Sequence, residues 1–141
     1  MTAEEIRGIN HLGVTVPDLE EATRFLREGL GAKVAYDGLT GQDEPRQGEE
    51  VERQLGLPAG AKIVRQRMIV IGTGPSLEMF QIEGPHQPAA GLADYGLNHL
   101  SVYTDDIETS RQRLIDAGGQ ALSEVHGNSR HEDTEGNGSV Y

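Results

Sequence analysis

Two histidines and a glutamate are the residues whose types and spacing best suit them to do chemistry. His11 and His99 stand 88 positions apart, each between an Asn and a Leu. Glu78 lies between Leu77 and Met79 in the otherwise apolar run Ser76–Ile82, where a carboxylate is costly to bury without a partner. Two imidazoles and a carboxylate form a donor set for a divalent ion such as Ni, Zn, Co, Mn or Fe(II). An ion held this way, with positions left open, binds a substrate through one or two oxygens and stabilises an enolate as a Lewis acid. A carboxylate at such an ion, here Glu78, is a candidate ligand and catalytic acid/base able to move a proton on the carbon next to a carbonyl. A single mid-strand histidine is ordinarily a core or edge residue bonded to backbone. What sets these two apart is that they are copies of one another.

The elements that must position them come from a duplication. Residues 9–34 and 97–122 align without a gap at the offset of 88. Identical pairs are Asn10/Asn98, His11/His99, Leu12/Leu100, Val14/Val102, Asp18/Asp106, Glu20/Glu108, Leu26/Leu114 and Gly31/Gly119. Each copy opens with a β-branched run, Ile9–Val16 or Leu97–Thr104, that reads as a strand. An acidic helix start follows at Asp18 or Asp106, and glycines suited to a helix end close it. A second strand is expected at Lys33–Tyr36 and again at Gln120–Val125. The first copy continues through a polar loop, Asp37–Glu50, and a short helix carrying Val51 and Leu55. It ends with two strands, Lys62–Ile71 and Ser76–Ile82, joined by a Gly/Pro turn. The reading is α+β: a βαβββ module over residues 1–83, a Gly/Pro-rich linker over 84–96, and a second such module over 97–141, incomplete at its C-terminus.

Strand alternation puts His11, Gly13 and Thr15 on one face and Leu12, Val14 and Val16 on the other. The apolar face packs on the helix, so His11 points to the open side of the sheet. His99, Ser101 and Tyr103 repeat this arrangement, and Glu78 shares a face with Ser76, Phe80 and Ile82. Two related modules about a pseudo-two-fold axis bring equivalent open faces towards one centre. Thr15 and Tyr103 flank the histidines and are candidates for orienting substrate. Arg65 and Arg67, alternating with Gln66, either meet an anionic substrate or lie on a solvated edge. His86 reads as a linker residue. His126 and His131, with Glu132, Asp133 and Glu135, read as solvated loop.

Composition narrows the classes. The chain has 141 residues, 12 Lys and Arg against 23 Asp and Glu, and a formal charge of −11. Nucleic acid and anionic membranes both require a basic face and are excluded as main partners. With no Cys there are no disulfides or thiolate metal sites. No apolar run approaches the roughly 20 residues of a membrane span, and the acidic N-terminus is unlike a secretory signal. A cytoplasmic protein with a small-molecule substrate is the expectation.

The paired strand-helix openings, the early histidine in each copy and the Leu-Glu-Met-Phe strand together resemble the vicinal oxygen chelate superfamily. Its members include glyoxalase I, methylmalonyl-CoA epimerase, extradiol dioxygenases and the fosfomycin- and bleomycin-resistance proteins. The resemblance implies tandem βαβββ modules forming a metal-binding cup, with His11 and Glu78 as ligands from the first module and His99 from the second. It implies a fourth ligand at position 166, the equivalent of Glu78, which lies beyond Tyr141; further chain or the partner in a homodimer is expected to supply it. The activity implied is that of a metal-dependent lyase or isomerase of glyoxalase/epimerase type. An extradiol-type Fe(II) dioxygenase is the first alternative, although Glu at position 78 favours the four-ligand, proton-transfer branch. A non-enzymatic drug-binding protein is the second, against which the retained ligands count. Leu12-Gly13-Val14 after the first histidine lacks the arginine expected of glyoxalase I and looks more like the epimerase group.

Overall fold

Aspartates start the two longer helices for the same local reason. In the computed structural model, which describes residues 5–128 and 138–139, helix α1 spans Leu19–Leu30 and helix α3 spans Ile107–Asp116. Asp18 Oδ1 accepts from the Glu21 amide at 3.0 Å, and Asp106 Oδ1 accepts from the Thr109 amide at 3.0 Å. Each cap satisfies one of the amides that a helix start leaves without an internal partner. Gly31, at φ 67°, ends α1; its N–H reaches Arg27 O and the Ala32 N–H reaches Leu26 O. That left-handed conformation costs a glycine little.

Around α1 the first copy builds the expected sequence of elements. Strand β1 is His11–Thr15 and β2 is Lys33–Leu39; a short helix α2, Glu49–Leu55, precedes β3, Lys62–Val70, and β4, Ser76–Glu83. They form one sheet in the order β1-β4-β3-β2, with β1 parallel to β4 and the other pairs antiparallel. One face is covered by α1. Leu19, Ala32, Ile69, Leu77 and Met79 are buried there, with Leu12, Val14, Ala22 and Leu26 packed around them. Fully burying a side chain such as Leu19, Ile69 or Met79 contributes about 1.5–3 kcal/mol each, so this apolar layer fixes which face of the sheet is left open.

The second copy forms its helix but not its strands. Residues 97–104 and 120–125 are irregular, contrary to expectation; among the described residues the second sheet pairs β5, His126–Gly127, with β6, Gly138–Ser139. Strand β1 is held by its parallel neighbour β4, and 97–104 has no partner strand among the described residues. Its apolar Leu97, Leu100 and Val102 are correspondingly exposed. Helix α3 packs against α1, with Arg113 Nη2 donating to Glu28 O and Arg24 Nη1 donating to Ala117 O. Among the described residues, no helix is long and apolar enough to cross a membrane.

Candidate active site on the open face of the sheet

Parallel pairing of β1 with β4 places His11 opposite Ser76, Gly13 opposite Glu78 and Thr15 opposite Phe80. Leu77 and Met79 go into the core beneath α1, so the intervening Glu78 emerges on the open side with His11. His11 Nε2 and Glu78 Oε1 are 3.9 Å apart. That is too long for a hydrogen bond. It is within the roughly 4.2 Å that two metal–ligand bonds of about 2.1 Å can span. A Cβ at Gly13 would meet only the Phe80 ring, at 3.8 Å, so the position between the two side chains is open.

Each of the two donors is held from behind. Gln66 Nε2 donates to Glu78 Oε2 at 3.0 Å, leaving Oε1 as the oxygen nearer His11. Strand β3 supplies this contact because Met68 pairs with Glu78 and Gln66 with Phe80, putting Gln66 one diagonal step away on the same face. In β2, Gly38 leaves the Gln66 amide its room: a Cβ there would lie 3.1 Å from Gln66 Cδ and Oε1. Asn10 Oδ1 lies 2.7 Å from His11 Nδ1. Gln66 and Asn10 were not among the expected site residues. The signal for Gln66 was its phase opposite the two arginines. For Asn10 it was its identity in both copies.

Thr15 lies on the open face as expected. His99 and Tyr103 do not join the site: both are exposed in irregular chain, and His99 Nδ1 is bonded to Asn98 Oδ1. Among the described residues no three His, Cys, Asp or Glu side chains stand close enough to hold one metal ion. Among the described residues the open face thus brings together two donors suited to a divalent ion, His11 and Glu78, with His99 apart from them.

Arg65 and Arg67 lie on the opposite, helix-covered face. Arg67 is buried, with Nε donating to Asp37 Oδ1 at 2.6 Å, Nη2 to Asp37 Oδ2 at 3.1 Å, and Nη1 to Glu20 Oε2 and Thr23 Oγ1. Arg65 Nη2 donates to Glu20 Oε1 at 2.7 Å. Hydrogen bonds from these guanidiniums hold the Glu20 and Asp37 carboxyls below their ordinary range. Both arginines tie the sheet to α1 and β2 and are turned away from His11. His86 Nδ1 contacts Gly84 O and His126 Nδ1 contacts Gly127 O; His131, Glu132, Asp133 and Glu135 lie outside the described residues.

The model of the family described as Glyoxalase/Bleomycin resistance protein/Dioxygenase superfamily matches residues 8–138. The chain belongs to this glyoxalase superfamily. Among its curated relatives is a 2-epi-5-epi-valiolone epimerase from an Actinomyces species, 32% identical over 119 residues, covering 81% of this chain and 62% of that protein. Another is the ethylmalonyl-CoA/methylmalonyl-CoA epimerase of Cereibacter sphaeroides, 29% identical over 118 residues and covering 81% and 73% of the two chains. The chain therefore spans under two thirds of the first of these glyoxalase-superfamily proteins. In fold it is similar to the glyoxylase/bleomycin resistance protein/dioxygenase domain from Frankia sp. EAN1pec. That match has a TM-score of 0.62 at 20% identity and covers 89% of this chain and 78% of that one.

Proposed function

We propose that this protein is a metal-dependent lyase or isomerase, closest in chemistry to the epimerases, that moves a proton on a carbon next to a carbonyl of a small oxygenated substrate. The observation that carries the proposal is the pairing of His11 Nε2 with Glu78 Oε1 at 3.9 Å on the uncovered face of the sheet. The two epimerase relatives give the same direction.

His11 and Glu78 would hold a divalent ion, whose contribution when bound is Lewis-acid polarisation of substrate oxygen. The remaining chemistry belongs to the chain. Glu78 accepts the proton of the acidified carbon and returns it, a role for which a carboxylate at hydrogen-bond reach is suited. Gln66 occupies Glu78 Oε2 and so directs the basic oxygen, Oε1, towards the open face. Thr15, one step along β1, offers a hydroxyl for orienting substrate. Position 99 is the sequence counterpart of His11; we propose that His99 joins the site in a homodimer or a longer chain. The acting protein is proposed to be cytoplasmic.

The test combines metal analysis with isotope exchange. The purified protein is loaded with Mn(II), Co(II), Ni(II) or Zn(II) and incubated in deuterated water with 2-substituted acyl thioesters and cyclic polyhydroxy ketones. Deuterium incorporation at the carbon next to the carbonyl is expected. Glu78→Gln should lower the rate by about 10²–10⁴-fold, and His11→Ala should abolish metal retention. Wild-type exchange that persists unchanged after both substitutions would overturn the proposal, as would oxygen consumption with catechols and no exchange.

A further inference from the structure

In both copies of the repeat the histidine ring is engaged by the asparagine that precedes it. His11 Nδ1 is 2.7 Å from Asn10 Oδ1, and His99 Nδ1 is 2.5 Å from Asn98 Oδ1. Consecutive residues of an extended chain point to opposite sides, so a side-chain bond between immediate neighbours is not what alternation produces. The two surroundings also differ: His11 begins a paired strand, while His99 lies in irregular chain. The same bond in both places is therefore a property of the Asn-His pair itself. At the first site Asn10 is also fixed by its backbone, since its carbonyl accepts from the Ser76 amide at 3.1 Å.

An amide oxygen can only accept, so the ring nitrogen facing it carries the hydrogen. A neutral ring with Nδ1–H has its lone pair on Nε2, and Nε2 is the atom of His11 that faces Glu78. We propose that Asn10 and Asn98 are positioning residues that fix His11 and His99 as Nδ1–H tautomers, so that each ring offers Nε2 to a metal ion. The metal half of this inference rests on the function proposed above; the tautomer half does not. Outer partners of this kind set ligand orientation and basicity in metal sites generally.

The experiment uses the full chain labelled with ¹⁵N at histidine, observed by long-range ¹H–¹⁵N correlation at about pH 8, where an ordinary imidazole is neutral. Both rings should show the Nδ1–H pattern. Asn10→Leu should move His11 towards Nε2–H and leave His99 unchanged, and Asn98→Leu should do the converse. Asn10→Asp, which still accepts, should retain Nδ1–H. In parallel, Mn(II) affinity should fall about 10–100-fold in Asn10→Leu. Nε2–H rings in the wild type, or rings that ignore Asn→Leu, overturn the proposal. A tautomer change with unaltered Mn(II) affinity overturns its metal-facing half. Failure of the wild type to bind Mn(II) overturns the metal reading of the site, while the tautomer result stands on its own. Because Asn10 is exposed and the two asparagines are tested separately, misfolding of one variant leaves the other to decide.

Discussion

Arg67 carries a guanidinium into the layer between sheet and helix, where a charge is tolerated only if it is paired and hydrogen-bonded. Asp37 from β2 takes it bidentately, and Glu20 and Thr23 from α1 take the remaining nitrogen. Arg67→Ala removes the donors that hold Asp37, while Glu20 keeps Arg65, and is expected to cost about 1–3 kcal/mol, read as a lower denaturation midpoint. Metal binding and exchange activity, measured where the variant is still folded, should be unchanged; a selective loss of activity would return Arg67 to the substrate. The acid dependence has a definite sign. The guanidinium holds Asp37 below the ordinary aspartate value of 3.8, so the stabilisation is fully present above that value. It is lost as pH falls through the lower value of the folded protein. Asp37→Asn should flatten the acid limb of the stability curve below about pH 4. Alternation in the sequence correctly grouped Arg65 with Arg67 but could not say which face they took. That phase is set by Ile69, which the core buries on the same side, and by carboxylates from two other elements.

At the scale of elements, what was legible in the sequence was what residues decide locally. The caps at Asp18 and Asp106, the glycine end of α1 and the apolar alternation of β4 all depend on neighbours a few positions away, and all are present. Strand pairing depends on distant partners, so the repeat in sequence did not guarantee a repeat in structure. The close approach of α3 to α1 was likewise not visible. Gly29 of α1 permits it, since a Cβ there would lie 2.8 Å from Leu114 Cδ2; Gly119 permits the tight turn that closes α3, since a Cβ there would lie 2.7 Å from the carbonyl oxygen of Leu114. The first neighbour is the tip of a flexible side chain and can move. The second is helix backbone, already accepting the Gly119 amide at 2.8 Å, and cannot move without unseating the end of α3. Gly119→Ala should therefore destabilise by about 1–3 kcal/mol. Gly74→Ala in the β3–β4 turn, where nothing lies within 4 Å, should be close to neutral. Urea midpoints for the two variants check this, and equal midpoints would sink the argument.

On the scale of the whole molecule the two copies differ in how far they are paired and buried. The first closes its own core, because β4 returns alongside β1 and carries Leu77 and Met79 beneath α1. The second contributes a helix to that body and leaves Leu97, Leu100, Val102 and Leu122 exposed. Uncovered apolar side chains in this number suit an interface, and we propose that the second copy of a homodimer covers them. Backbone amides of 97–104 lack strand partners among the described residues, so they open at almost no free-energy cost. In the dilute monomer, verified by light scattering, they should exchange with deuterium near the rate of an unstructured peptide. Amides of β4, and those of β1, the counterpart of 97–104, that are bonded to β4, should exchange far more slowly. Raising the concentration until the chain dimerises should slow exchange at 97–104 and leave β1 where it was. Protection of 97–104 to the level of β4 in the monomer would show that this segment finds its partner within one chain, and the association argument would fail.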